Sequence, residues 1–365
     1  MSAEYILSRA ARLHEEMRRC GAQAYVVLND EDSNWEGLFY LSGFRGTAGA
    51  IVIYGDAEPE LFLDGRYTEA GRAQSPYAVT EQKKSLAEDL RESLRAHGAA
   101  EILCEARKTS HENWLRLADG LGNWRDGGAI MERLRRAKDA EEISCIKKAA
   151  EIGARAFLEA LDAVRPGMTE KEFESLLNYR ISAAGGGAGF DMIVASGARG
   201  AMPHGRATDK PMERGECVTV DYGARWNGYL CDITRNFSIG APAEEALALH
   251  ALVKRAHDAG AAALKAGASG KALHETAARV FAEEGKEKFF AHSLGHSFGL
   301  EVHEAPVLSR RRDDRLEAGD VVTVEPGLYF EGERGMRLED DYMITDRGAE
   351  LLTAGLAQEL FVVSK

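Results

Sequence analysis

A nine-residue pattern occurs twice, 104 residues apart: Gly215-Glu216-Cys217-Val218-Thr219-Val220-Asp221-Tyr222-Gly223 and Gly319-Asp320-Val321-Val322-Thr323-Val324-Glu325-Pro326-Gly327. Both copies read G-[ED]-x-V-T-V-[DE]-x-G, a β-branched strand that ends in a carboxylate. Each copy is followed by a return strand with another acid, Asp232 in CDITRNF and Glu339 in MRLEDDYMIT. Two unrelated strands have no reason to share the placing of both acids. The pattern predicts a duplicated half-domain in which each half delivers two carboxylates to a shared centre.

The repeat occupies only part of the 365 residues, a length that accommodates two cores. From the opening helix to about residue 128, helical and strand patterns alternate through AYVVLN, GAIVIYG, ELFLDGRY, SLAEDLRESLRAHG and AEILCEA. In that opening helix Leu7, Ala10, Ala11, Leu13, His14 and Met17 fall mostly on one side. The pattern breaks at Arg125-Asp126-Gly127-Gly128, and a long amphipathic helix is expected from near Met131 through LEAL. We therefore divide the chain into residues 1–128 and 129–365, both of mixed α/β (α+β) class.

The formal net charge of -13 disfavours nucleic acid and anionic membrane surfaces, which reward clustered Lys and Arg. No stretch approaches the roughly 20 apolar residues of a membrane span. The N-terminal stretch has no basic region followed by an apolar one, so a cytoplasmic setting is expected. The five cysteines are scattered and never form C-x-x-C, which suggests neither disulfides nor a thiolate zinc site.

Asp221 and Asp232 flank a turn at Trp226-Asn227-Gly228, and in a two-residue hairpin residues whose numbers sum to about 453 face one another on the same side of the sheet. Opposed carboxylates repel unless one is protonated or a cation lies between them. Val218, Val220, Ile233 and Phe237 make this hairpin look buried, so a metal or a proton-sharing pair is predicted. Glu325 and Glu339 repeat the arrangement across a longer loop, and period-2 alternation sets Arg337 beside Glu339. His292, His296 and His303 cluster in AHSLGHSFGLEVHEAP with Gly295 and Gly299 among them, while His204 stands alone in MPHG. Carboxylates with a single imidazole suit Mn, Co or Zn, and four carboxylates suit two such ions about 3.5–4 Å apart.

The run PHGRATDKPMERGECVTVDYGARWNGYLCDITRNF, with GHSFGLEVHEAP, VVTVEPGLYF and GMRLED, resembles the proline-specific branch of the creatinase/methionine aminopeptidase-like (M24) metallopeptidases, the Xaa-Pro aminopeptidases and prolidases. YLSGFRGTAGAIVIYG and LFLDGRYTEAG are similar to that family's N-terminal accessory domain. The resemblance implies a creatinase-like α/β domain followed by a pita-bread catalytic domain with an internal pseudo-twofold repeat. It also implies hydrolysis of Xaa-Pro bonds in proline-containing peptides by a homodimer carrying two divalent ions, with Mn favoured.

Carried over residue by residue, the resemblance makes Asp221, Asp232, His296, Glu325 and Glu339 the metal ligands, with Asp232 and Glu339 bridging. Glu325 is also implied as a proton shuttle. His204 and His303 would act beside the scissile bond, His292 would line the proline side of the cleft, and Arg337 would orient the acids and border the substrate. One departure stands out: the family commonly reads G-H-G-[VIL]-G where this chain has Gly295-His296-Ser297-Phe298-Gly299. Ser297 and Phe298 are expected to add bulk near the substrate and alter its size preference. Creatinase and the inactive peptide-binding relatives of this fold usually lack part of the ligand set, which is complete here. An Xaa-Pro aminopeptidase is the expectation, with a strict Xaa-Pro dipeptidase as the alternative.

Overall fold

The computed structural model describes residues 2–364 and divides into two compact units, one up to Arg135 and the other from Arg136. The first is built on a six-stranded mixed sheet. Its inner strand Ala24–Asn29 runs antiparallel to Gly49–Tyr54 and parallel to Glu101–Cys104. All six residues of Ala24–Asn29 are buried, which is why AYVVLN is an unbroken apolar run rather than an alternating one. Helix Ala3–Cys20 stops at Gly21, whose φ of 70° lets its N–H and that of Ala22 reach back to Arg18 and Met17 carbonyls. Its buried face is Ile6, Arg9, Ala10, Leu13 and Met17; Leu7 is 50% exposed, so the apolar stripe runs through Ile6 and not through Leu7.

The second unit repeats one plan. Helices Ala140–Leu161 and Glu170–Ala183 precede strands Ile193–Ser196, Cys217–Tyr222 and Ile233–Ile239. Helices Glu244–Ala262 and Gly270–Glu283 then precede strands Gly295–Ser297, Val321–Val324 and Asp340–Ile344. In each half the three strands are neighbours in that order, the middle strand antiparallel to both flanks. Each half also has its own core. Phe157, Phe173, Val218, Val220, Ile233 and Phe237 are buried in the first, and Val253, Ala277, Phe281, Val322, Val324 and Ile344 in the second. The duplicated sequence pattern is therefore a duplicated structure. The halves meet through an antiparallel bridge between Thr234 and Glu339, which brings the two return strands side by side.

The long helix expected from Met131 is two helices, Gly128–Arg136 and Ala140–Leu161. Asp139 divides them. Its side chain accepts from Glu142 N–H while Glu142 reaches back to the Asp139 N–H, a capping box that starts a new helix in an otherwise continuous apolar pattern. The hairpin after Asp221 also differs from expectation. Asn227 and Gly228 both have positive φ, and Trp226 pairs with Tyr229, so the turn has the expected two residues but facing residues sum to 455 rather than about 453. That register sets Asp221 opposite Thr234 instead of Asp232. Asp232 lies two residues back along the same strand direction, so parity keeps both acids on one face, diagonal to each other.

Candidate metal centre

Asp221 is the last residue but one of the first middle strand, and Asp232 stands just before its return strand. Glu325 and Glu339 take the matching places in the second half. His296 comes from strand Gly295–Ser297, which pairs with Val321–Val324. All five line one cavity of about 540 Å³, together with His204, His292, His303 and Arg337. One ligand atom each from Asp232, His296 and Glu339 lies within 4.8 Å of the others. His296 Nε2 is 3.4 Å from Glu325 Oε1 and 3.8 Å from Asp232 Oδ2. Its other nitrogen, Nδ1, is 3.1 Å from the Ser297 carbonyl oxygen, which can only accept; Nδ1 therefore carries the hydrogen and Nε2 offers its lone pair to the acids' side.

Five carboxylates line this cavity against one guanidinium, that of Arg337. Burial pushes the Asp232 and Glu325 carboxyls well above the usual range, with the Glu339 charge adding to both. Burial, then Asp221, raises Glu339 to about 8. Burial also drives the His296 imidazole down to about 3, so it stays neutral. Asp221 Oδ1 is buried and has no hydrogen-bond partner among the described residues. A set of acids that cannot comfortably ionise together, a neutral imidazole with a free lone pair and an orphaned carboxylate oxygen fit divalent cations of the Mn, Co or Zn kind.

Arg337 departs from the expected pairing. Its Nη2 donates to Asp221 Oδ2 at 2.6 Å, across to the other half of the repeat, and its Nε donates to Thr234 Oγ1 at 3.0 Å. The Thr234 hydroxyl in turn donates to Glu339 Oε2 at 2.7 Å. Arg337 reaches its strand neighbour only through that hydroxyl. Thr234 is fully buried, and its place two residues after Asp232 is the strand parity that could have flagged it. Asp341 is a further unanticipated member: its Oδ2 accepts the Asp232 backbone N–H at 3.0 Å.

His292 has both ring nitrogens engaged. Arg337 Nη1 donates to the Tyr329 hydroxyl oxygen at 2.6 Å, that hydroxyl donates to His292 Nε2 at 2.9 Å, and His292 Nδ1 donates to the Ser293 carbonyl at 2.8 Å. This assignment follows from which partners can only donate or only accept. Burial, then Arg337, lowers the imidazole to about 3, in keeping with a neutral ring. His292 thus presents a ring surface rather than a proton. His204 and His303 are exposed to the cavity and have no hydrogen-bond partner among the described residues. The His303 ring lies 4.4 Å from that of His296, and burial, then His204, lowers its pKa.

Ser297 and Phe298 do not line the cavity; both are fully buried. Ser297 has no positive φ, so the residue that replaces a glycine of the common pattern carries no backbone strain.

The model of metallopeptidase family M24 matches residues 144–346, and that of the creatinase/prolidase N-terminal domain matches residues 9–137. The chain belongs to metallopeptidase family M24. It is 36% identical over 318 residues to an uncharacterized peptidase of Bacillus subtilis, covering 86% of this chain and 90% of that one. It is 33% identical over 317 residues to the Xaa-Pro dipeptidase of Pyrococcus furiosus, covering 87% and 90%. Among solved structures, the X-Pro aminopeptidase of Thermotoga maritima is similar with a TM-score of 0.92 and 38% identity over 97% of this chain and 99% of that one. As a member of M24 the protein is a hydrolase with the pita-bread fold, and among the described residues no helix is long and apolar enough to cross a membrane.

Proposed function

We propose that the protein hydrolyses Xaa-Pro peptide bonds with two divalent metal ions held by Asp221, Asp232, His296, Glu325 and Glu339. The observation that carries this is the convergence of all five donors on one cavity, with His204, His292 and His303 on its walls. When bound, the ions supply the Lewis acidity that makes water nucleophilic near neutral pH and stabilises charge on the carbonyl oxygen. Glu325 takes the proton of the attacking water on a carboxylate oxygen. As the C–N bond breaks, it returns that proton to the proline nitrogen. His204 and His303, whose ring nitrogens are not otherwise engaged, donate to the scissile carbonyl and to the leaving nitrogen. Arg337 holds Asp221 directly and Glu339 through Thr234, so it fixes acids from both halves and borders the substrate. The neutral ring of His292 offers the pyrrolidine of proline an apolar face.

Cleavage as an aminopeptidase, in which the chain continues past proline, is the reading we favour. A recess of about 210 Å³ shares His292 and Ser293 with the main cavity, which leaves room for following residues. A strict dipeptidase is the second reading, because Arg310 and Arg311 line the same recess and could grip a free proline carboxylate. Comparison of Ala-Pro with Ala-Pro-Ala in the presence of Mn²⁺ separates them. Release of alanine from both supports the aminopeptidase, cleavage of Ala-Pro alone supports the dipeptidase, and cleavage of neither overturns the proposal. The same reading extends to a cytoplasmic homodimer acting on proline-containing peptides, for which light scattering in solution checks the assembly.

A further inference from the structure

Ser297, the residue that departs from the common G-H-G pattern, faces away from the substrate and into a buried polar cluster. Its Oγ accepts from Lys138 Nζ at 3.1 Å, and the same ammonium donates to Glu304 Oε2 at 3.1 Å. The Lys138 and Glu304 side chains are 1% and 8% exposed. The other Glu304 oxygen, Oε1, accepts the backbone N–H groups of Leu300 and Glu301, both at 3.1 Å. Gly299 makes the space for this: a Cβ there would lie 3.1 Å from Lys138 Cε and 3.2 Å from Glu304 Oε1.

The cluster sits where the β-ladder fails. His296 pairs with Val307, but Ser297 pairs with Glu304, so the register jumps between His296 and Ser297. Such an irregularity leaves residues without ladder partners, and pairing alone cannot fix the His296 ring. That ring is instead oriented by the Ser297 carbonyl, while the Glu304 carboxylate shapes the turn leading to His303. Lys138 Nζ donates to both Ser297 and Glu304, and Lys138 does not line the cavity.

We infer that Lys138 is a positioning residue for the metal centre: by holding the Ser297 and Glu304 side chains together beside the register jump, it sets the two imidazoles of His296 and His303. The inference rests on the ligand set proposed above. It gives the Ser297 hydroxyl, which a glycine lacks, a partner in the Lys138 ammonium.

The test uses the full chain, chelated and titrated with Mn²⁺ against a competing dye, in the Lys138→Met/Glu304→Gln double variant and in Ser297→Ala. The double variant replaces the ion pair with neutral groups, and its glutamine carbonyl can still accept from Leu300 and Glu301. The expected result is a roughly 10- to 100-fold loss of Mn²⁺ affinity in the double variant and a smaller loss in Ser297→Ala. KM for Ala-Pro at saturating Mn²⁺ should stay at the wild-type value. A purely structural role would lower the melting temperature yet leave the folded protein's Mn²⁺ affinity unchanged, and that result overturns the inference. If the double variant does not fold, Ser297→Ala decides by the same criterion, since it removes one hydroxyl and no charge. Wild-type protein that binds Mn²⁺ but leaves Ala-Pro intact would refute the proposed function and leave this comparison standing.

Discussion

Replacing Thr234 with valine removes one hydroxyl and preserves the shape of the side chain. That hydroxyl accepts from Arg337 Nε at 3.0 Å and donates to Glu339 Oε2 at 2.7 Å, and the residue is fully buried. No water can substitute without a space to enter. A hydrogen bond to a charged partner contributes about 1.5–3 kcal/mol and a neutral one about 1 kcal/mol. Arg337 is the charged partner, and Glu339, raised to about 8, is largely protonated at neutral pH without metal. The loss is therefore about 3 kcal/mol in the chelated protein. For a unit of this size each kcal/mol lowers the melting temperature by about 2–4 °C, so a fall of about 6–12 °C is expected. In the same variant Mn²⁺ affinity should drop roughly 10- to 100-fold, because Glu339 loses the contact that aims its carboxylate. Thermal melts of chelated protein and a Mn²⁺ titration measure both, and Thr234→Ser, which keeps the hydroxyl, should retain wild-type Mn²⁺ affinity and lose only about 1 kcal/mol for its buried methyl. A melting temperature within about 1 °C of wild type, with unchanged Mn²⁺ affinity, would refute the linkage of the two halves through Thr234.

Two other outcomes follow from the same geometry. Gly295→Ala would place a Cβ 2.0 Å from the Thr323 carbonyl oxygen, so the strand that bears His296 must shift off Val321–Val324; destabilisation by about 3 kcal/mol or more and loss of Mn²⁺ binding are expected, and a normal melt with normal titration would show that the strands can yield. The chelated protein should also lose stability as pH rises. The folded carboxyls of Asp232, Glu325 and Glu339 hold their protons above the ordinary range, that of Glu339 up to about 8; the buried imidazoles of His292 and His296, lowered to about 3, oppose them until about pH 6.5, where the unfolded rings are neutral too, so from there to about pH 8 the unfolded chain binds fewer protons than the fold. Stability then falls across that window, while saturating Mn²⁺ should abolish the decline; chelated protein equally stable at both ends of the window would contradict it.

The parts of this molecule readable in the sequence are those with a period or a repeat. The two V-T-V strands announce their own duplication, and the acids that end them follow. A buried strand such as Ala24–Asn29 is legible because no polar residue interrupts it. What escaped was register and partnership. A two-residue turn, fixed by positive φ at Asn227 and Gly228, set Asp221 against Thr234 rather than Asp232. Arg337 found its carboxylate 116 positions away instead of two, because only the packing of the halves decides which acid its guanidinium meets. Ser297 looked like an obstacle in the cleft for a similar reason: its partner, Lys138, is 159 positions distant and comes from the break between two helices that read as one.

The central claim is that the acids of both halves, with His296, hold the ions that hydrolyse Xaa-Pro bonds. It is tested most directly by measuring bound Mn²⁺ and alanine release from Ala-Pro side by side in wild type and Glu339→Gln. Glu339 is the acid whose strand bridges the halves and whose carboxylate lies in the Asp232–His296 cluster. The account predicts that wild type binds Mn²⁺ and cleaves Ala-Pro, that chelation abolishes cleavage, and that Glu339→Gln remains folded but loses both metal and activity. Near-normal turnover by Glu339→Gln, or cleavage by wild type after complete removal of metal, would contradict it.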